Sequence, residues 1–123
     1  MKNSAKLLLE FSIILGIFTL ITTYIVSTAS GRVAPFIPII SEMPFSEPEE
    51  SIFSTGLGIS LFGTFLIIQV LYRLFQPLAK NLGDFYVKGA RISWIAATIG
   101  SICGIITVSF NWKEFPVLHG ITA

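Results

Sequence analysis

The chain has 123 residues, of which 53% are hydrophobic and only 12% charged, and its net charge is +1. A soluble domain carries about 25% charged residues. The composition, with a mean hydropathy of +0.80, therefore argues against an ordinary soluble domain and favours a membrane protein. The net charge of +1 gives no indication of a nucleic-acid partner, and we predict none.

Three stretches of 21 or 22 residues contain no charged side chain: 11–31, 51–72 and 92–112. At about 1.5 Å per helical residue, each stretch matches a hydrocarbon core about 30 Å thick. A backbone in lipid must satisfy its own hydrogen bonds, so each stretch is expected to be helical. We predict an all-α membrane protein with one membrane domain, a bundle of three transmembrane helices at about 7–28, 51–72 and 91–110.

The first apolar stretch has an alternative interpretation. Lys2 and Lys6 precede it, and the small residues Ser27, Thr28 and Ala29 follow, as in a cleavable signal peptide. The apolar region of about 20 residues is longer than the 7–15 residues typical of a signal peptide. A retained helix is therefore the preferred prediction.

The basic residues predict the orientation of the helices. Six of the eight lie on one side of the predicted membrane and two, Arg32 and Lys113, on the other. Because basic residues favour the cytoplasmic side, we expect the N-terminus and loop 73–90 in the cytoplasm. Loop 29–50 and tail 111–123 then face the lumen or the exterior. Pro77 is expected to end the second helix, leaving either a short interfacial segment or a solvated connector.

Small residues recur four apart on the predicted helices. Gly56 and Ser60 do so on the second helix, and Gly100 and Gly104 on the third. This spacing lets helix backbones approach closely in lipid. Packing within the chain is the preferred interpretation, and a dimerisation face is the alternative.

The first loop is rich in proline and glutamate, with four of the six prolines and four of the seven acids in residues 30–53. Ser46 and Glu49 have the spacing of a capping box at the start of the second helix. Glu49 and Glu50 would also lie near the positive end of the helix dipole. The start of a helix therefore accounts for these acidic residues without a metal site. Two ion pairs are candidates, and they join Arg32 to Glu42 and Lys6 to Glu10.

Several motifs together resemble the DRAM (damage-regulated autophagy modulator) family. The loop residues that carry the resemblance are Pro35, Pro38, Ser41, Glu42, Pro48, Glu49 and Phe53. The likeness continues through Tyr72-Arg73, through 108–111 and through 119–123. The chain departs from the family's loop pattern at Ile39, where a Tyr is usual, and at 42–44, where Asp-Thr-Gly is usual.

The resemblance implies a non-enzymatic, multi-pass protein of the lysosomal or another endomembrane that promotes autophagy. Other branches of the family imply a Golgi or plasma-membrane factor in glycosylphosphatidylinositol-anchor lipid remodelling or phosphoinositide regulation. A small membrane assembly subunit is a further alternative, suggested by the face of Gly100 and Gly104. Family members resemble six-helix proteins, so the chain is expected to correspond to their N-terminal half, as a shortened isoform, an incomplete gene model or a diverged three-helix relative.

No constellation of residues predicts catalysis. Cys103 is the single cysteine and suggests a packing role. His119 is the single histidine and is expected to be a hydrogen-bonded structural residue, with a pH-sensitive contact to a loop carboxylate as a further hypothesis. We predict no catalytic, cofactor-binding or metal-binding residue and no cofactor. The expected partners are membrane lipids and other membrane proteins.

Overall fold

The computed structural model describes residues 2–34, 40, 43–44, 46–110 and 115–122. These residues form helices and contain no strand. The helices are α1 (Lys2–Ala29), α2 (Glu49–Leu82), α3 (Asp84–Ser109) and α4 (Pro116–Thr122). The first three are long and apolar enough to cross a membrane, which confirms the predicted all-α class with three candidate spans.

Helix α2 lies in the middle of the described structure. It packs against α1 on one side and α3 on the other, and α4 packs against α3. Within the described residues α1 and α3 do not contact each other. The contacts of α2 therefore join the three long helices within the described part of the chain.

The interior between α1 and α2 is polar. Four hydroxyl residues of α1 are at most 3% exposed. They are Ser12, Thr19, Thr23 and Ser27, spaced so that they share one helix face. Large apolar side chains of α1, such as Ile14 and Phe18, point outwards instead. Lipid surrounds an apolar exterior without penalty, whereas small polar residues let two helices meet closely.

Two glycines of α2 fit directly against this polar face. A Cβ atom added at Gly56 would overlap the side chain of Thr19, and one added at Gly63 would overlap the hydroxyl of Ser12. Beside them, the Ser60 hydroxyl donates a buried hydrogen bond of 2.7 Å to the Ser12 carbonyl. Backbone proximity and this hydrogen bond hold α1 and α2 together.

A polar and aromatic cluster joins α2 to α3. The indole of Trp94 donates to the Gln69 side-chain oxygen at 2.8 Å, and the Gln69 amide donates to Thr98 at 3.2 Å. Trp94 also stacks on Tyr72, with ring centroids 4.7 Å apart. The cluster satisfies the polar atoms of Gln69 between two apolar helices.

The prediction that Pro77 ends the second helix is wrong. Helix α2 continues through Pro77 to Leu82, so most of the predicted loop 73–90 is helical. Proline removes one intrahelical hydrogen bond, but α3 packs alongside and the hydrogen bonds on either side persist. The chain reverses at Gly83, whose φ of +113° suits glycine and strains other residues. Its amide donates to the Ala79 carbonyl and closes α2.

We predict that Gly56→Ala destabilises the protein by about 1–3 kcal/mol, the usual cost of overpacking. The added methyl group overlaps the β-branched side chain of Thr19, which is stiff and only 3% exposed. Unfolding in mixed micelles of mild detergent and dodecyl sulfate measures the change. Gly58→Ala is the matched control, since a Cβ there meets nothing within 4 Å. Equal stability of the two variants would contradict the close approach of α1 and α2.

Candidate functional site

The candidate site lies where α1 ends and α2 begins, and we call it the α1–α2 cap. It consists of Ser27, Arg32, Met43, Glu47 and Glu49. The cap begins with a turn at the end of α1. Gly31 has a φ of +67°, its amide donates to the Thr28 carbonyl, and the Arg32 amide donates to the Ser27 carbonyl. This is the Schellman arrangement, which turns the chain back over the helix end.

The turn brings Arg32 onto the first residue of α2. A guanidinium nitrogen of Arg32 donates to a carboxylate oxygen of Glu49 at 2.5 Å and to the Glu47 carbonyl at 2.8 Å. The Glu49 side chain is 0% exposed, whereas the Arg32 side chain is 38% exposed. Burying a carboxylate is costly unless it is paired. Arg32 supplies that pair, and the positive end of the α2 dipole adds to it.

A second contact fixes the loop to the end of α1. The Ser27 hydroxyl donates a buried hydrogen bond of 2.6 Å to the Met43 carbonyl, and Met43 is itself 6% exposed. Ser51 donates to the Glu47 carboxylate at 2.6 Å on the outer side of the cap. The loop is therefore fixed to both helices.

Three buried oxygens near this end have no hydrogen-bond partner among the described residues. They belong to Thr23, Thr28 and Glu49. Buried polar atoms are usually satisfied by protein or water. Within the cap, one oxygen of the Glu49 carboxylate is paired with Arg32 and the other has no partner among the described residues.

The structure places the predicted capping residues differently from the prediction. Pro48, and not Ser46, occupies the position before α2. The Ser46 carbonyl instead accepts from the Glu50 amide at 2.9 Å. The predicted capping box is wrong, because one oxygen of the Glu49 carboxylate binds Arg32 and the other has no partner among the described residues.

The remaining loop residues of the family pattern are only partly described. Pro35, Pro38, Ser41 and Glu42 lie outside the described residues, and so does the proposed pair of Arg32 with Glu42. Pro48 is exposed, and Phe53 is buried one turn beyond Glu49. The predicted pair of Lys6 and Glu10 is confirmed at 3.6 Å, with both side chains mostly exposed.

The predicted packing residues occupy two different environments. Gly56 and Ser60 face α1, as described above. A Cβ at Gly104 would lie 3.4 Å from Leu61 of α2, in ordinary contact. A Cβ at Gly100 would meet nothing within 4 Å, so Gly100 lies on an open face of α3.

His119 lies in α4, away from the α1–α2 cap. Its Nδ1 donates to the Phe110 carbonyl at 2.9 Å, which closes α4 onto the end of α3. Thr107 and Thr122 add a hydrogen bond of 2.9 Å between the same helices. Within the described part of the chain, His119 is therefore a hydrogen-bonded structural residue. Its contact with a loop carboxylate at low pH stays a prediction.

Sequence reasoning missed the pairing of Arg32 with Glu49 and most of the hydroxyl face of α1. The 4-3-4-4 spacing from Ser12 through Gly16, Thr19 and Thr23 to Ser27 was a readable signal for that face. The ion pair had a weaker signal: Arg32 follows the glycine that ends α1, and Glu49 is the first residue of α2.

Among the described residues, no three or more histidine, cysteine, aspartate or glutamate side chains come together as metal ligands would. An apolar exterior, a polar helix seam and three candidate spans define a polytopic helical membrane protein. Comparison with known proteins then gives its family. Residues 4–123 match the family described as the Frag1/DRAM/Sfk1/Cwh43P N-terminal domain, and the chain belongs to it.

Two curated relatives are both named DNA damage-regulated autophagy modulator protein 1, one from Homo sapiens and one from Mus musculus. Each is 29% identical over 102 residues, which cover 80% of this chain. The matched region spans 42% of the length of each relative. No solved structure matches the chain. The resemblance to the DRAM family that the loop suggested is confirmed.

We predict that Arg32→Gln destabilises the protein by about 1–3 kcal/mol, because it leaves the buried Glu49 carboxylate without a cation. The double variant with Glu49→Gln should lose less than Arg32→Gln alone, since a neutral amide replaces the buried charge. Unfolding in mixed micelles tests both variants.

Lys6→Gln is the matched control, because it removes a cation from an exposed ion pair. Its effect should stay within about 0.5 kcal/mol. If Arg32→Gln costs no more than this control, the cap does not depend on its ion pair.

Proposed function

We propose that this chain is a non-enzymatic, DRAM-like modulator of autophagy in the lysosomal membrane. The observation that carries the proposal is the family match over residues 4–123, together with the two relatives whose names state autophagy modulation. The α1–α2 cap supports a binding role over a catalytic one. Its carboxylate is neutralised by Arg32 and buried, a poor arrangement for proton transfer to a substrate.

The proposed orientation places the α1–α2 cap in the lumen and the α2–α3 turn in the cytoplasm. Its support is the distribution of basic residues, of which Arg73, Lys80, Lys88 and Arg91 cluster around that turn. The cap would then present the Pro- and Glu-rich loop to luminal partners. Membrane proteins and lipids remain the proposed partners.

Cysteine labelling in a Cys103→Ser background tests the orientation. Asn81→Cys, next to the turn, should react with a membrane-impermeant maleimide from the cytoplasmic side of sealed vesicles. Glu42→Cys, in the loop, should react only after detergent opens the vesicles. The Cys103→Ser chain alone is the control and should stay unlabelled. The reverse labelling pattern would contradict the proposed orientation.

Localisation and autophagic flux test the function. In cells depleted of the endogenous protein, we expect reduced flux, restored by a tagged wild-type chain that colocalises with lysosomal markers. Gly58→Ala should restore flux equally, because it leaves the cap and both helix contacts intact. Arg32→Gln, compared at equal protein level, should restore it less if the cap is the binding surface.

Two results would favour the alternatives. A Golgi or plasma-membrane location with unchanged flux, and altered anchored-protein lipids or phosphoinositides, would support the lipid-remodelling branch. The assembly-subunit alternative depends on the open position of Gly100 on α3. An oligomer in mild detergent that Gly100→Leu dissociates would support it.

A further inference from the structure

Four basic side chains surround the α2–α3 turn, and they differ from the other described cations in having no acidic partner. Within the described residues, ion pairs join Lys6 to Glu10 and Arg32 to Glu49. The cations near the turn are exposed and belong to no ion pair in the part of the chain that the structure describes. They are Arg73, Lys80, Lys88 and Arg91. Their charge is therefore available to a partner outside the chain.

All four cations lie on one side of the pair of helices, and we call them the basic face. An apolar groove lies on the opposite side, between α2 and α3, and residues of both helices line it. Leu71 and Phe75, which line the groove, lie two positions before and two positions after Arg73. The same holds for the other three cations. Two residues correspond to about 200° around a helix, so each cation points away from the groove.

The inner level of the basic face consists of Arg73 and Arg91. Both directly adjoin the charge-free stretches of α2 and α3, so they mark the membrane boundary. The stacking of Tyr72 on Trp94 sets the register of the two helices. The two arginines then differ by two residues, or about 3 Å, in height. Packed helix axes lie about 8–10 Å apart, so two long guanidinium side chains on one side of the pair reach the same phosphate.

The outer level of the basic face consists of Lys80 and Lys88. Lys80 lies seven residues beyond Arg73 on α2, which is about 10 Å. Lys88 lies three residues beyond Arg91 on α3, which is about 5 Å. The headgroup region of one leaflet is about 5–8 Å thick. The lysines therefore lie at the outer edge of the headgroup region, further out than the glycerol phosphates of the lipids.

The charge of the basic face is not cancelled by acidic residues. Between residues 72 and 93 the sequence has four basic side chains and one acidic one, Asp84, which gives this segment a net charge of +3. Asp84 is the first residue of α3 and lies at the turn, beyond both levels of the basic face. An anion at either level is therefore attracted.

We propose that the basic face binds a phospholipid whose headgroup carries a phosphate monoester beyond its glycerol phosphate. Arg73 and Arg91 bind the glycerol phosphate at the membrane boundary, since the guanidinium fork matches phosphate oxygens. Lys80 and Lys88 bind the outer phosphate. Cations at two depths thus select this headgroup over one that ends in a neutral or a positively charged group. The proposal depends only on the membrane assignment, so it stands or falls separately from the role in autophagy.

Lipid binding to the full chain in mild detergent tests the proposal, with native mass spectrometry as the measurement. The probes are phosphatidylinositol 4-phosphate and phosphatidylinositol, which differ only in the outer phosphate. The first should bind severalfold more tightly than the second, and phosphatidylcholine should bind most weakly. Detergent exposes both ends of the helices, so the result does not depend on the orientation in the membrane.

Two double variants separate the two levels. Lys80→Gln with Lys88→Gln should weaken phosphatidylinositol 4-phosphate to the affinity of phosphatidylinositol and leave phosphatidylinositol unchanged. Arg73→Gln with Arg91→Gln should weaken both lipids severalfold. All four positions are exposed, so the variants should fold, and unfolding in mixed micelles verifies this.

Lys2→Gln with Lys6→Gln is the matched control, because it removes two cations from the N-terminal end of α1 and leaves the basic face intact. Both affinities should stay unchanged. If this control weakens binding as much as the variants of the basic face do, overall charge attracts the lipid and the proposal fails.

Two other results would also overturn the proposal. One is equal affinity of the wild type for the two inositol lipids, which would leave the basic face to membrane orientation or to an acidic protein segment. The other is equally tight binding of the soluble headgroup, inositol 1,4-bisphosphate, which would assign the face to a free phosphate and not to a lipid.

Discussion

Everything at the α1–α2 end of the molecule depends on how closely these two helices approach. Lipid gives apolar helices little reason to associate, because a lipid tail is as good a neighbour as a leucine. In this chain, hydroxyl residues of α1 pack against glycines of α2 instead. Thr19 lies against Gly56, Ser12 lies against Gly63, and Ser60 bonds to the Ser12 carbonyl. A single added methyl group is enough to disturb such a contact.

The α1–α2 cap extends the same contact beyond the ends of the helices. Gly31 turns the chain, and the turn places Arg32 against the buried carboxylate of Glu49. Ser27 then binds the returning loop through the Met43 carbonyl. A local glycine conformation thus decides which cation meets which acid, and it also decides where the loop is presented.

The length of the three charge-free stretches was enough to predict the three spans. A stretch that crosses the lipid core must have about that length and must be helical to satisfy its backbone hydrogen bonds. Other features depended on interactions that sequence spacing does not show. Pro77 was expected to end α2, yet packing against α3 carries the helix six residues further along, including the proline, to Leu82. Glu49 was expected to cap its own helix, but a residue 17 positions earlier binds it. Local rules failed at both positions because a tertiary contact was stronger.

The separate contacts of α2 with α1 and with α3 also separate the energetics of these two interfaces. Since α1 and α3 do not contact each other in the described structure, α2 has two independent partners on its two sides. Interaction energies couple only residues that share contacts. Losses in the free energy of unfolding should therefore add when one substitution lies in the α1–α2 contact and the other in the Gln69–Trp94 cluster. A substitution can therefore weaken the contact of α2 with α1 while the contact of α2 with α3 keeps its interaction energy.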